Sequence, residues 1–201
     1  MHVIFLGDSI TEAAVKPGGY IVRLNQILEK NKVKDKYMLT GAGIGGNKVY
    51  DLYLRLDNDV LNKHPDIVMI YIGVNDVWHK KTHGTGTDAD KFEIFYQAIL
   101  KKLSDKKIKA ILCTPAAIGE KTDFTNELDK ELDLYSNIIR SIAVKNNLPL
   151  VDLRKAFLEY NLKNNTGNKE AGILTTDRVH LNDQGNQLVA EKIWEVLKTI
   201  K

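Results

Sequence analysis

The chain has 201 residues, the usual size of one domain, so a single domain spanning residues 1–201 is expected, with a core large enough to need no disulfide or structural metal. Its one cysteine, Cys113, cannot make an internal bridge or a multi-cysteine zinc site, which excludes a disulfide-stapled secreted scaffold. With 29 Lys and Arg against 26 Asp and Glu, the formal charge of +3 gives no nucleic-acid or membrane-surface signal, and 43% hydrophobic with 27% charged residues is an ordinary globular composition.

In chain order, Val3 to Leu6 is a short apolar run that reads as a strand. The segment Met1 to Gly7 lacks the positive start and cleavage region of a signal peptide, so the expected location is cytoplasmic, with export open where a leader has been removed. Tyr20 to Lys30 sets Ile21, Leu24, Ile27 and Leu28 on one helical face. Tyr37 to Thr40 reads as a second strand, and Lys48 to Asn62, with Val49, Leu52, Leu56, Val60 and Leu61 on one side, as a helix. The remaining strands are Ile67 to Ile72, Ile108 to Cys113 and Leu148 to Leu153; the remaining helices are Phe92 to Leu103, Leu128 to Val144 and Gln187 to Ile200. No apolar run approaches the roughly 18 to 20 residues that span a bilayer, so no membrane span is expected.

This alternation predicts an α/β fold: a three-layer α/β/α sandwich, flavodoxin-like, with about five parallel strands. Three polar, irregular stretches interrupt it, His79 to Asp90, Ala116 to Asn126 and Asn161 to Thr176. Ligands of open parallel sheets bind beyond the carboxyl ends of the strands, so these stretches are the expected walls of a site.

Four segments carry candidate chemistry. The first strand ends in Gly7-Asp8-Ser9, which sets a serine hydroxyl at the sheet edge. A serine needs a base to become a nucleophile, and Asp177-Arg178-Val179-His180, before the last helix, offers a histidine with an acid on the same turn to orient it. Acyl transfer also needs donors for an oxyanion; Gly41-Ala42-Gly43-Ile44-Gly45-Gly46 follows the second strand, and Gly73-Val74-Asn75-Asp76 follows the third. Taken singly, each segment has a plain reading as a capped turn, a tight glycine turn or an Asx-turn. Together they place a serine, a histidine with an acid beside it and candidate N–H donors at strand ends and before the last helix.

The joint pattern resembles the SGNH hydrolases, the GDSL family of esterases and lipases, over nearly the whole chain. Gly7-Asp8-Ser9 is similar to that family's nucleophile block, Gly46 to the glycine of its second block, Gly73-x-Asn75-Asp76 to its third and Asp177-x-x-His180 to its last. The resemblance implies that Ser9 is the nucleophile, His180 the base and then acid, and Asp177 its orienter. It also implies an oxyanion hole of the Ser9 and Gly46 N–H groups and the Asn75 amide, with Gly45 the alternative to Gly46. One departure stands out: the second block commonly opens with asparagine, and Gly41 is found here. No cofactor and no metal are implied, and the partner is a small-molecule ester.

Asp8, Trp78 and His79 are expected to bind substrate, beside Lys80 and the Ala116 to Asn126 loop. So short a chain leaves only low walls, hence a shallow, open cleft. No long apolar groove is legible, which favours short-chain or acetyl esters, including acetyl groups on sugars, over lysophospholipid or thioester substrates. Oligomeric state is open. Two rivals remain: a non-catalytic relative, and a dinucleotide binder, because Gly41-x-Gly43-x-x-Gly46 satisfies the dinucleotide fingerprint. Against the second, that fingerprint normally occupies the first strand-to-helix turn, which here is Gly-Asp-Ser. His79 and His83 have helical metal-ligand spacing without a third ligand, Cys113 reads as a core residue, and the lysines from Lys101 to Lys109 read as a solvated helix end.

Overall fold

The structure of the chain, a computed structural model, describes residues 1–200. Its elements in order are β1 (His2–Gly7), α1 (Ser9–Ala13), α2 (Tyr20–Lys30), β2 (Met38–Gly43), α3 (Val49–Asp59), β3 (Ile67–Tyr71), α4 (Val74–Thr82), α5 (Ala89–Asp105), β4 (Lys109–Cys113), α6 (Asp129–Lys145), β5 (Leu150–Val151), α7 (Leu153–Asn164) and α8 (Asp183–Leu197).

The five strands form one parallel sheet in the order β2-β1-β3-β4-β5, the flavodoxin-like order that the alternation predicts. Every residue of β3 and all but the first of β1 are buried, as strands covered on both faces require. The β1 to β2 crossover runs one way along the sheet and the later ones run the other, so right-handed connections put α2 on the face opposite α3, α5 and α6. Accordingly α2 packs with α8, and α3 with α5. Among the described residues no helix is long and apolar enough to cross a membrane.

The register positions the site. Gly7, the last residue of β1, lies opposite Gly43 of β2 and Tyr71 of β3, so the chain leaves all three strands at one level. The turn after β1, the glycine run after β2 and the Gly73-Val74-Asn75 turn therefore meet where the strand order reverses, between β1 and β3.

Several boundaries differ from those the sequence suggests. The second strand continues past Thr40 to Gly43, because glycine there permits close approach: a Cβ on Gly43 would stand 2.0 Å from the Glu12 N of α1. Gly41 and Gly43 are thus strand residues under α1, and the dinucleotide fingerprint makes no open phosphate loop. Half of the stretch His79 to Asp90 is helical, being the end of α4 and the start of α5, with residues 83–88 as the irregular join. The fifth strand shrinks to Leu150–Val151, since Asp152 caps α7 by accepting from Lys155 N at 3.2 Å. Helix α7 buries Arg154 and Asn161 beside Leu153 and Phe157, a mixed face that hides its helical period.

Candidate active site

Ser9 is the first residue of α1, and Asp8 is its cap, accepting from Ile10 N at 3.0 Å. The serine N–H lies outside the helix's own hydrogen-bond ladder, at its positive end. The Ser9 hydroxyl meets His180 Nε2 at 3.0 Å. On the other side of the imidazole, Nδ1–H donates to Asp177 Oδ2 at 2.7 Å, while Asp177 Oδ1 accepts the backbone N–H of His180 at 2.8 Å and of Val179 at 3.1 Å. Burial opposes ionisation of Asp177, but the bonds from the His180 side chain and from both backbone amides outweigh it and hold the carboxyl below its ordinary range. Serine, histidine and aspartate thus stand in one continuous chain, each in the place the sequence suggests.

The glycine run closes over Ser9. A Cβ on Gly45 would stand 3.9 Å from that of Ser9, and the Gly45 N–H is spent on Glu12 Oε2 at 2.8 Å. Gly46, at φ +76°, has no partner for its N–H among the described residues. That conformation favours glycine. Asn75 sits in the first turn of α4, buried, and its Nδ2 donates to Asn47 O at 3.1 Å, which leaves its second amide hydrogen for a ligand. Two side chains hold this loop. Arg55 donates to Asn47 Oδ1 at 2.7 Å, to Gly7 O at 2.8 Å and to Ala42 O at 2.9 Å, and the buried Lys48 donates to Gly46 O at 3.2 Å.

The expected substrate residues divide. His79 packs against Gly46, with its Cε1 4.0 Å from where a glycine Cβ would be, and Trp78 touches His79. Burial, with Lys48 and His83 nearby, keeps the His79 imidazole below its ordinary pKa. Asp8 does not line the cleft: it is 2% exposed, and burial pushes its carboxyl up to about 7, so it acts as a cap beneath Ser9. Asp76, whose Oδ1 accepts from Val49 N at 3.1 Å, is likewise buried and raised to about 6. Lys80 is turned away from the cleft, paired with Glu131 at 2.6 Å. Cys113 is fully buried and its thiol pushed far up by burial. His79 and His83 stack at 4.4 Å between ring centres, and no group of metal-ligating side chains occurs among the described residues.

The His180 and Asp177 side chains are 40% and 51% exposed, so the arrangement opens onto the surface as a shallow site. A hydroxyl bonded to an oriented imidazole, beside N–H groups left free, is what an acyl-transferring hydrolase requires. The chain belongs to the GDSL-like Lipase/Acylhydrolase family, whose model matches residues 5–188, and it is an esterase of that family. It is 30% identical over 204 residues to an acetylxylan esterase of Geobacillus stearothermophilus, covering 94% of this chain and 90% of that protein. Its fold matches the crystal structure of the acetyl xylan esterase AlAXEase at TM-score 0.95 and 62% identity, covering 97% of this chain and 98% of the other. Structures of Axe2, an acetylxylan esterase from Geobacillus stearothermophilus, match at TM-score 0.84 and 26% identity, covering 98% of this chain and 93% of theirs. The Axe2 forms described as catalytic mutants carry alanine for a serine, an aspartate and a histidine, the last two three positions apart.

Proposed function

We propose that this chain removes acetyl groups from xylan-type carbohydrates, using Ser9, His180 and Asp177 as a catalytic triad. The observation that carries the triad is the unbroken Asp177–His180–Ser9 hydrogen-bond chain, at 2.7 and 3.0 Å. The acetylated-carbohydrate substrate is supported by the acetylxylan esterases it resembles, and by the shallow, open cleft.

In this reading the ester carbonyl lies against Ser9, and His180 Nε2 takes the hydroxyl proton as Oγ attacks. Negative charge develops on the carbonyl oxygen and is met by the N–H groups of Ser9 and Gly46 and by the Asn75 amide. Gly46 is preferred to Gly45 because Glu12 already occupies the Gly45 N–H. Asp177 stabilises the imidazolium without taking its proton. The sugar hydroxyl leaves with that proton, and the acetyl group stays on Ser9. Water then attacks with His180 as base, releasing acetate. Trp78 and His79 form the wall beside Gly46 and contact the sugar. The test compares acetate release from acetylated xylo-oligosaccharides with hydrolysis of long-chain acyl esters. Preference for chains of about eight carbons or more, or full activity in Ser9→Ala, would overturn the reading.

A further inference from the structure

The loop that carries Asp177 and His180 lies off the sheet, and its own bonds are local. Thr175 bridges to Leu181, Thr176 N donates to His180 O at 2.8 Å, Arg178 N to Thr175 Oγ1 at 3.2 Å, and Asn182 N to Leu174 O at 3.0 Å. These bonds shape the loop without fixing it to the rest of the molecule. The attachment comes from the stretch after β4. Gly119 N donates to Arg178 O at 2.8 Å, and the next residue, Glu120, is 1% exposed. Its Oε1 accepts from Leu174 N at 2.6 Å and from Thr175 N at 2.8 Å, and its Oε2 accepts from Ile173 N at 2.8 Å. Glu120 is itself fixed at both ends, its N donating to Glu170 O at 3.0 Å and its O accepting from Asn165 Nδ2 at 2.7 Å.

We propose that Glu120 is a positioning residue for catalysis: its buried carboxylate, gripping three consecutive amides at the base of the 172–182 loop, sets where His180 stands relative to Ser9. The proposal rests on the triad reading above. Among the described residues Glu120 takes part in no salt bridge, and both of its carboxyl oxygens are engaged by these three amides. Charge-assisted bonds of this kind are short and directional, and a buried carboxylate that loses them is costly. The loop's register is therefore set at its base by this side chain, beside the Gly119 bond to Arg178 O. One residue, Thr176, separates Thr175 from Asp177, so displacement at Thr175 passes to Asp177 and through it to the imidazole it holds.

The test measures kcat and KM for 4-nitrophenyl acetate in Glu120→Gln and Glu120→Ala, with melting curves, beside Leu103→Ala as a destabilised control. Leu103 is buried between α5 and the sheet, far in sequence from every site residue. Misplacing a catalytic group by about 1 Å costs on the order of a hundredfold, so Glu120→Ala should lose kcat by about that factor with KM within about threefold. Glu120→Gln keeps an acceptor for Leu174 and Thr175 but turns an amide donor toward Ile173 N–H, and should lose about tenfold. Leu103→Ala should keep its kcat below its melting range. Parent-like kcat in folded Glu120→Gln and Glu120→Ala would overturn the proposal, and so would an equal loss of kcat in Leu103→Ala; if Glu120→Ala fails to fold, Glu120→Gln decides. Ser9→Ala in the same assay separates the two readings: an active Ser9→Ala refutes the triad, whereas an inactive one with indifferent Glu120 variants refutes only the positioning role.

Discussion

The two halves of the site are built differently. The half that carries the proposed nucleophile is made of the sheet edge itself: Ser9, the Gly45-Gly46 turn and Asn75 all emerge from strands held in one register, and several independent contacts fix them. The half that carries the proposed base is a loop beyond the sheet, with Asp177 and His180 half-exposed and the buried Glu120 carboxyl at its root. The carboxyl groups follow the same division. Asp8 and Asp76, on the sheet side, are raised by burial, whereas Asp177, bonded to His180, is lowered. The sheet supplies position through its strands with Asp8 and Asp76 buried; the loop keeps Asp177 ionised and borrows its position from Glu120, itself buried.

If both halves serve one reaction, removing either reactive group should be equivalent. Ser9→Ala and His180→Ala should each lower kcat by roughly 10⁴ to 10⁶, and the double variant should lose little more, as steady-state assays will show. Additive losses would mean the halves act separately. Asn75→Ala removes one donor from the nucleophile half; a fall in kcat of about 10² to 10³ with KM nearly unchanged is expected.

The raised acids give a stability prediction. Asp8 and Asp76 bind protons more tightly folded than unfolded, so between about pH 4 and 7 the native state holds the extra protons, and stability falls as pH rises through that window. Asp8→Asn keeps the helix cap but removes the acid. Its melting temperature should exceed the parent's at pH 8 by at least about 2 to 4 °C, the shift for about 1 kcal/mol in a chain of this size, and match it near pH 4. A larger gain at pH 4 than at pH 8 would reverse the sign and refute it. The smallest effect is expected at Glu12, an exposed carboxylate that accepts a single amide, from Gly45. Glu12→Ala should lower kcat by about twofold to fivefold, because one solvent-exposed hydrogen bond is worth little. Set beside Glu120, it isolates what burial and three amides add.

Much of this was legible in the sequence because the reactive residues sit at strand ends and before a helix, where short motifs mark them. The parallel, layered architecture followed from the alternation of elements, and Ser9, Asn75, Asp177 and His180 fall where their motifs imply. Other residues gave no such signal. Asp8 belongs to the nucleophile motif, but the cap geometry that buries it is a three-dimensional fact. Lys80 reads like a wall residue until its ion pair with Glu131 is seen, 51 positions away. Arg55 leaves one faint mark, a cation inside the apolar run from Leu52 to Leu56. Glu120 leaves none, since its partners lie 53 to 55 residues further on and are backbone amides, which any sequence supplies. Helix α7 was hidden by a buried face that mixes arginine and asparagine with leucine and phenylalanine.

The most direct test of the account is rapid-quench mass spectrometry of the enzyme turning over an acetylated xylo-oligosaccharide. The predicted result is a transient acetyl adduct that peptide mapping places on Ser9, absent from Ser9→Ala. An adduct on another residue, or acetate release at the parent rate from Ser9→Ala, would contradict it.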